Sequence, residues 1–189
     1  MAGEKDLGVP LSRASIPTLP SDNLSRKRLF PLLENERSGT TFVIAPGGYG
    51  KSSLVAEWAR YQSKSVIWMT VTTGDTLNEM SALVIAATRN VIPGFAPWFE
   101  NEYPIRPTEV VRRWGNELLA TKRDYIFVLD NLRNDSDVDV DIAIKITQSY
   151  FSQIVPISVL LTCIFGSAGV IGFILLWKAK QPLSLSAII

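Results

Sequence analysis

Three short, largely apolar runs punctuate the chain: 41–44 (TFVI), 66–71 (VIWMTV) and 125–130 (YIFVLD). They are too short for helices and lack polar alternation, which suits strands buried on both faces of a parallel sheet. Between them the apolar spacing changes to three and four. Leu54, Val55, Trp58 and Ala59 share one face of a helix predicted over 52–62. Met80, Leu83, Val84 and Ala87 do the same over 77–90. A third helix is predicted over 108–119, capped by Thr108 and with Glu109 favourable in its first turn. Alternating strand and helix patterns predict an α/β fold whose parallel sheet is covered on both sides. Ligands of such sheets gather at the carboxyl ends of the strands.

The remaining stretches read less regularly. Residues 1–23 carry Pro10, Pro17 and Pro20, which predicts an extended arm with little regular structure. Asp22 or Asn23 would cap a short helix over 24–33, with Pro31 limiting its regularity. The basic cluster Arg26-Lys27-Arg28 on it reads as a solvated face that can approach an anionic ligand. Phe95, Trp98, Phe99 and Tyr103 follow a Pro-Gly break and are expected to form satellite core. Residues 134–141 (NDSDVDVD) lack the glycine and terminal glutamate of a calcium loop, so a solvated acidic loop is expected, followed by an amphipathic helix over 142–153.

The chemistry concentrates where the first strand meets the first helix. Strand, glycine-rich loop and helix present main-chain N–H groups and a helix N-terminus to a phosphate chain. Ala45 takes the first position of the eight-residue Walker A spacing, Pro46 and Tyr49 lie within it, and Gly50-Lys51-Ser52 closes it. Gly47, Gly48 and Gly50 let the backbone curl without Cβ clashes. Lys51 is placed to reach β- and γ-phosphates and the Ser52 hydroxyl to ligate Mg²⁺. The run 125–130 ends in Asp130, the Walker B layout, in which an acidic group holds Mg²⁺ directly or through water.

Composition narrows the field. Lys+Arg 19 against Asp+Glu 18 leaves a net charge of +1, which offers no basic footprint for nucleic acid. The absence of histidine removes Ser-His and Cys-His nucleophilic sites. A single cysteine, Cys163, excludes an internal disulfide and fits a reducing compartment. The first ten residues have no apolar core of signal-peptide type.

The apolar tail admits two readings. Residues 154–177 are long and apolar enough for a transmembrane helix, which gives a P-loop domain over 24–150 with a membrane anchor and a cytoplasmic interaction module. In the other reading 158–164 (SVLLTCI) is a fourth buried strand, 166–169 a turn, 170–178 a short helix and 183–188 a fifth strand. The P-loop domain then runs over 24–189. Without those strands the sheet would keep three strands and an exposed edge, which favours the core reading.

With these pieces placed, the chain resembles the nucleotide-binding domain of LuxR-type, MalT-like regulators, members of the STAND class of P-loop ATPases. The matching stretches are IPTLPSDNLSRKRL (16–29), IAPGGYGKSSLVAEWA (44–59), VIWMTVTTGD (66–75) and VLDNLR (128–133). The resemblance implies a three-layer sandwich around a mostly parallel five-stranded sheet. It also implies cytoplasmic binding of ATP or ADP with Mg²⁺, and a slow ATPase acting as a switch for self-association. Gly47, Gly48, Tyr49, Gly50, Lys51, Ser52 and Ser53 would bind phosphates, Lys51 and Asp130 would serve any hydrolysis, Ser52 and Asp130 would hold Mg²⁺, and Arg26 would approach the nucleotide. Three departures matter. Asn131 stands where relatives carry a second acid, and an amide cannot take a proton from water, so hydrolysis is expected to be weak or absent. Arg133 replaces a histidine, and Phe165 lies where relatives often carry arginine. The family's helical repeats and helix-turn-helix are not among these residues, so no DNA-binding module is implied here. A shortened relic that binds nothing is the bland alternative.

Overall fold

In the computed structural model of the chain, residues 7–34, 40–43, 45–133, 157–164 and 187–188 are described. After a 3₁₀ turn at Leu11–Arg13 and another at Lys27–Leu29, the elements run α1 (Phe30–Leu33), β1 (Thr40–Val43), α2 (Lys51–Ala59), β2 (Ser65–Thr70) and α3 (Leu77–Arg89). There follow α4 (Trp98–Glu102), α5 (Pro107–Ala120), β3 (Tyr125–Arg133), β4 (Ile157–Ile164) and β5 (Ala187–Ile188). The strand order is β2-β3-β4-β1-β5, and each pairing is parallel. The mixed α/β class predicted from the apolar runs is therefore met, and β1, β2 and the start of β3 fall within a residue of their predicted positions.

Alternation along the two best-covered strands explains why helices are needed on both sides. Ile67 and Met69 of β2, with Tyr125, Phe127 and Leu129 of β3, join a core with Leu83, Val84, Ile85 and Ala87 of α3 and Val110, Trp114 and Leu118 of α5. The intervening Trp68, Ile126 and Val128 join a second core with Val43, with Val55 and Trp58 of α2, and with Leu33. Successive strand side chains point to opposite faces, so a continuous apolar run demands two apolar covers. Trp58, Trp68 and Trp114 are all under 2% exposed or at it. Cutting any of them to alanine costs about 3–5 kcal/mol.

Several expectations are revised. The arm is not merely extended. Ala14 is fully buried, the Arg13 guanidinium donates to Thr70 O at 3.1 Å and pairs with Asp75, and Asn90 Nδ2 donates to Ala14 O at 2.7 Å. Thr108 is not a cap. Helix α5 begins at Pro107 with Arg106 as its N-cap residue and no side-chain cap, because proline at the first turn needs no N–H acceptor. The helix expected over 24–33 splits into the 3₁₀ turn and the four-residue α1, with Pro31 in its first turn. Phe95 and Phe99 belong to the α3–α5 core rather than to a satellite.

Residues 157–164 pair in parallel with both β1 and β3. A membrane-spanning helix over 154–177 therefore does not hold for those positions. Among the described residues no helix is long and apolar enough to cross a membrane. The predicted acidic loop 134–141, the helix 142–153, the segments 166–169 and 170–178, and the start of the fifth strand lie outside the described residues.

Candidate functional site

The glycines of the loop adopt the backbone that their sequence position demands. Gly48 has φ 79° and Gly50 φ 70°, both left-handed, where a Cβ would be strained. Gly50 is the N-cap residue of α2, and its carbonyl accepts from Leu54 N–H at 2.9 Å. No side chain caps this end. First-turn N–H groups have no acceptor inside a helix, so those of Lys51, Ser52 and Ser53 are directed at the loop. Pro46, Gly47 and Tyr49 are exposed along the rim.

Lys51 and Ser52 sit under this rim. Lys51 is 5% exposed, and its ammonium donates to the carbonyls of Ala45 and Pro46, each at 2.7 Å. Burial lowers its pKa below the usual lysine value, while the Asp130 charge works in the opposite sense. The Ser52 hydroxyl donates to Asp130 Oδ1 at 2.7 Å. The two residues predicted to share a metal are thus brought together from positions 78 apart in sequence. Asp130 is 4% exposed at the point where the pairing of β2 with β3 ends. Among the described residues no group of three or more Cys, Asp or Glu converges. A hydroxyl and one carboxylate fit Mg²⁺, which keeps several waters and completes its shell with phosphate oxygens. They do not fit zinc, which prefers thiolate and imidazole.

Arg26 also reaches the loop. Its guanidinium donates to Tyr49 O at 2.6 Å, and its Nη2 lies 3.0 Å from where a Cβ on Gly50 would be. Neighbouring Lys27 instead lies over the Tyr61 ring, 4.6 Å from its centroid. The basic cluster thus divides, one cation facing the loop and one a surface aromatic.

Sequence reasoning missed Glu57 altogether and, for Asn131, missed its place in the sheet. Glu57, 7% exposed on α2, accepts from Ser25 Oγ at 2.5 Å and from Arg26 N–H at 3.3 Å. A lone carboxylate within the buried run Leu54–Ala59 was the available signal. Asn131 is left-handed at φ 64°, and its Nδ2 donates to Val71 O at 2.8 Å. Comparison with protein-family models, with curated proteins and with solved structures finds no match for this chain.

Proposed function

We propose that this chain is a P-loop ATP-binding switch domain of the STAND, LuxR-type regulator class, built as a three-layer sandwich. It would be cytoplasmic, taking Mg-ATP (or ADP) with weak or absent hydrolysis and coupling that binding to self-association. The observation that carries the reading is the 2.7 Å bond from Ser52 Oγ to Asp130 Oδ1, directly beside Lys51 in a loop with two left-handed glycines. A buried lysine beside a hydroxyl–carboxylate pair at a helix N-terminus fits a polyanion with its counter-cation.

In this reading the main-chain N–H groups of 47–53 bind phosphate oxygens, and Lys51 exchanges its two carbonyl acceptors for phosphate. Ser52 and Asp130 would hold Mg²⁺, whose contribution is to neutralise charge on the phosphates. Arg26, seated by Glu57, borders the same loop. Weak or absent turnover belongs to this reading because an amide, which cannot take a proton from water, follows Asp130 in the chain.

Thermal unfolding with Mg-ATP tests the proposal. Nucleotide at about 100 times its dissociation constant adds about 2.7 kcal/mol. Wild type is expected to shift and Lys51→Ala to stay put. Equal behaviour of the two proteins would remove the proposal.

A further inference from the structure

Val71 follows the last residue of β2, and consecutive residues of β3 occupy both of its main-chain groups. Its N–H donates to Asp130 O at 2.9 Å, and its carbonyl accepts from Asn131 Nδ2 at 2.8 Å. In a continued parallel ladder that carbonyl would receive the main-chain N–H of residue 132. Here the register of β3 against β4 is irregular between Leu129 and Leu132, and Asn131 takes the left-handed conformation. A side-chain amide therefore stands in for a ladder N–H at the point where the sheet releases Asp130 towards Ser52. Asparagine suits both demands, since it tolerates positive φ and carries a donor. Aspartate would meet the first and fail the second, setting a carboxylate oxygen against a carbonyl oxygen.

We infer that Asn131 is a positioning residue, pinning the end of β3 to Val71 so that the Asp130 carboxylate stays on the metal side of the phosphate loop. It is not a disabled catalytic base. The inference rests on the reading of Ser52 and Asp130 as the Mg²⁺-holding pair. Its side chain is committed to the Val71 carbonyl, so placing an acid at this position does not supply a base at the phosphates. Outer-shell groups that orient a metal-binding carboxylate typically carry ten- to a hundredfold in metal affinity.

The test is titration of wild type, Asn131→Asp, Asn131→Gly, Asp130→Ala and Lys51→Ala with ATP, once in magnesium and once in EDTA, with phosphate release followed alongside. Asn131→Gly keeps the left-handed backbone and removes the side chain with its amide, so it carries the test even where the aspartate variant folds poorly. Both Asn131 variants are expected to lose roughly ten- to a hundredfold in affinity in magnesium while matching wild type in EDTA. Asp130→Ala should abolish the magnesium increment altogether. A gain of phosphate release in Asn131→Asp, or an undiminished magnesium increment in Asn131→Gly, overturns the inference and leaves the ATP site standing. Binding of ATP in EDTA that depends on Lys51, with no magnesium increment in wild type, also removes the inference alone. Absence of ATP binding by wild type under both conditions removes the parent reading with it.

Discussion

The carboxylate of Glu57 accepts the hydroxyl of Ser25 at 2.5 Å across the seam between α2 and the segment leading into α1. Its other oxygen takes the main-chain N–H of Arg26, and the Arg26 guanidinium ends on Tyr49 O. One acid inside an apolar helix face thus seats the cation that borders the glycine-rich loop. Replacing Glu57 by alanine removes the acceptor for two donors and is expected to destabilise the fold by about 1–3 kcal/mol. It should also weaken ATP binding, whereas Ser25→Ala, which spares the Arg26 contact, should lower stability less and leave binding nearly intact. Denaturant unfolding and ATP titration of the two variants check the difference.

Gly50 faces two separate obstacles to a side chain. Its φ of 70° costs an L-residue about 1–2 kcal/mol, and a Cβ would meet Arg26 Nη2 at 3.0 Å. Gly50→Ala is therefore expected to unfold more easily than wild type. Adding Arg26→Ala should recover the part due to contact and leave the backbone part. A double-mutant cycle measured by urea unfolding separates them, and full recovery in the double variant would show that the backbone term is absent.

A buried relay ties α5 to α3 far from the loop. Trp114 Nε1 donates to Thr88 Oγ1 at 2.7 Å, and that hydroxyl donates to Val84 O at 2.7 Å. Thr88→Val keeps the shape and deletes the hydroxyl acceptor, at an expected cost of about 1–3 kcal/mol. Thr88→Ser keeps the acceptor and should lose less. Equal melting temperatures for the valine variant and wild type would show that the relay contributes nothing.

Acid titration should report on Glu109. Hydrogen bonds from Arg112, first, and Arg113 lower its pKa from 4.5 to about 2. The folded state therefore favours the carboxylate. Its contribution to stability is complete above about pH 4.5, the unfolded value, and is lost as pH falls towards 2. Glu109→Gln lacks that contribution, so the gap in melting temperature between wild type and variant should narrow from pH 5 to pH 2. A gap independent of pH would contradict the assignment.

The parts of the site governed by local chemistry were legible in the sequence. The left-handed glycines and the placing of Lys51 and Ser52 at the start of α2 follow from spacing, because a strand that turns into a helix across so few residues needs a tight, glycine-rich loop. Asp130 followed from its place at the end of an apolar run. Asn131 was not legible in its structural role, since nothing local distinguishes a ladder residue from one whose side chain replaces the ladder. Its partner Val71 lies 60 positions away. Thr108 misled for a local reason: a good capping residue stood one place after a proline that starts helices without a cap. The arm misled because three prolines describe its backbone and say nothing of Ala14, whose burial depends on α3 folding against it.

That arm also bears on how the protein tolerates shortening. Ala14 plugs the same apolar interior that Phe99 and Trp114 fill, while Arg13 and Ala14 O are tied to β2 and to the end of α3. A chain trimmed to begin after Pro17 would lose a cork rather than a leader. The uncovered opening would present greasy surface to solvent, and such a trimmed protein should clump at concentrations where the longer one remains dispersed.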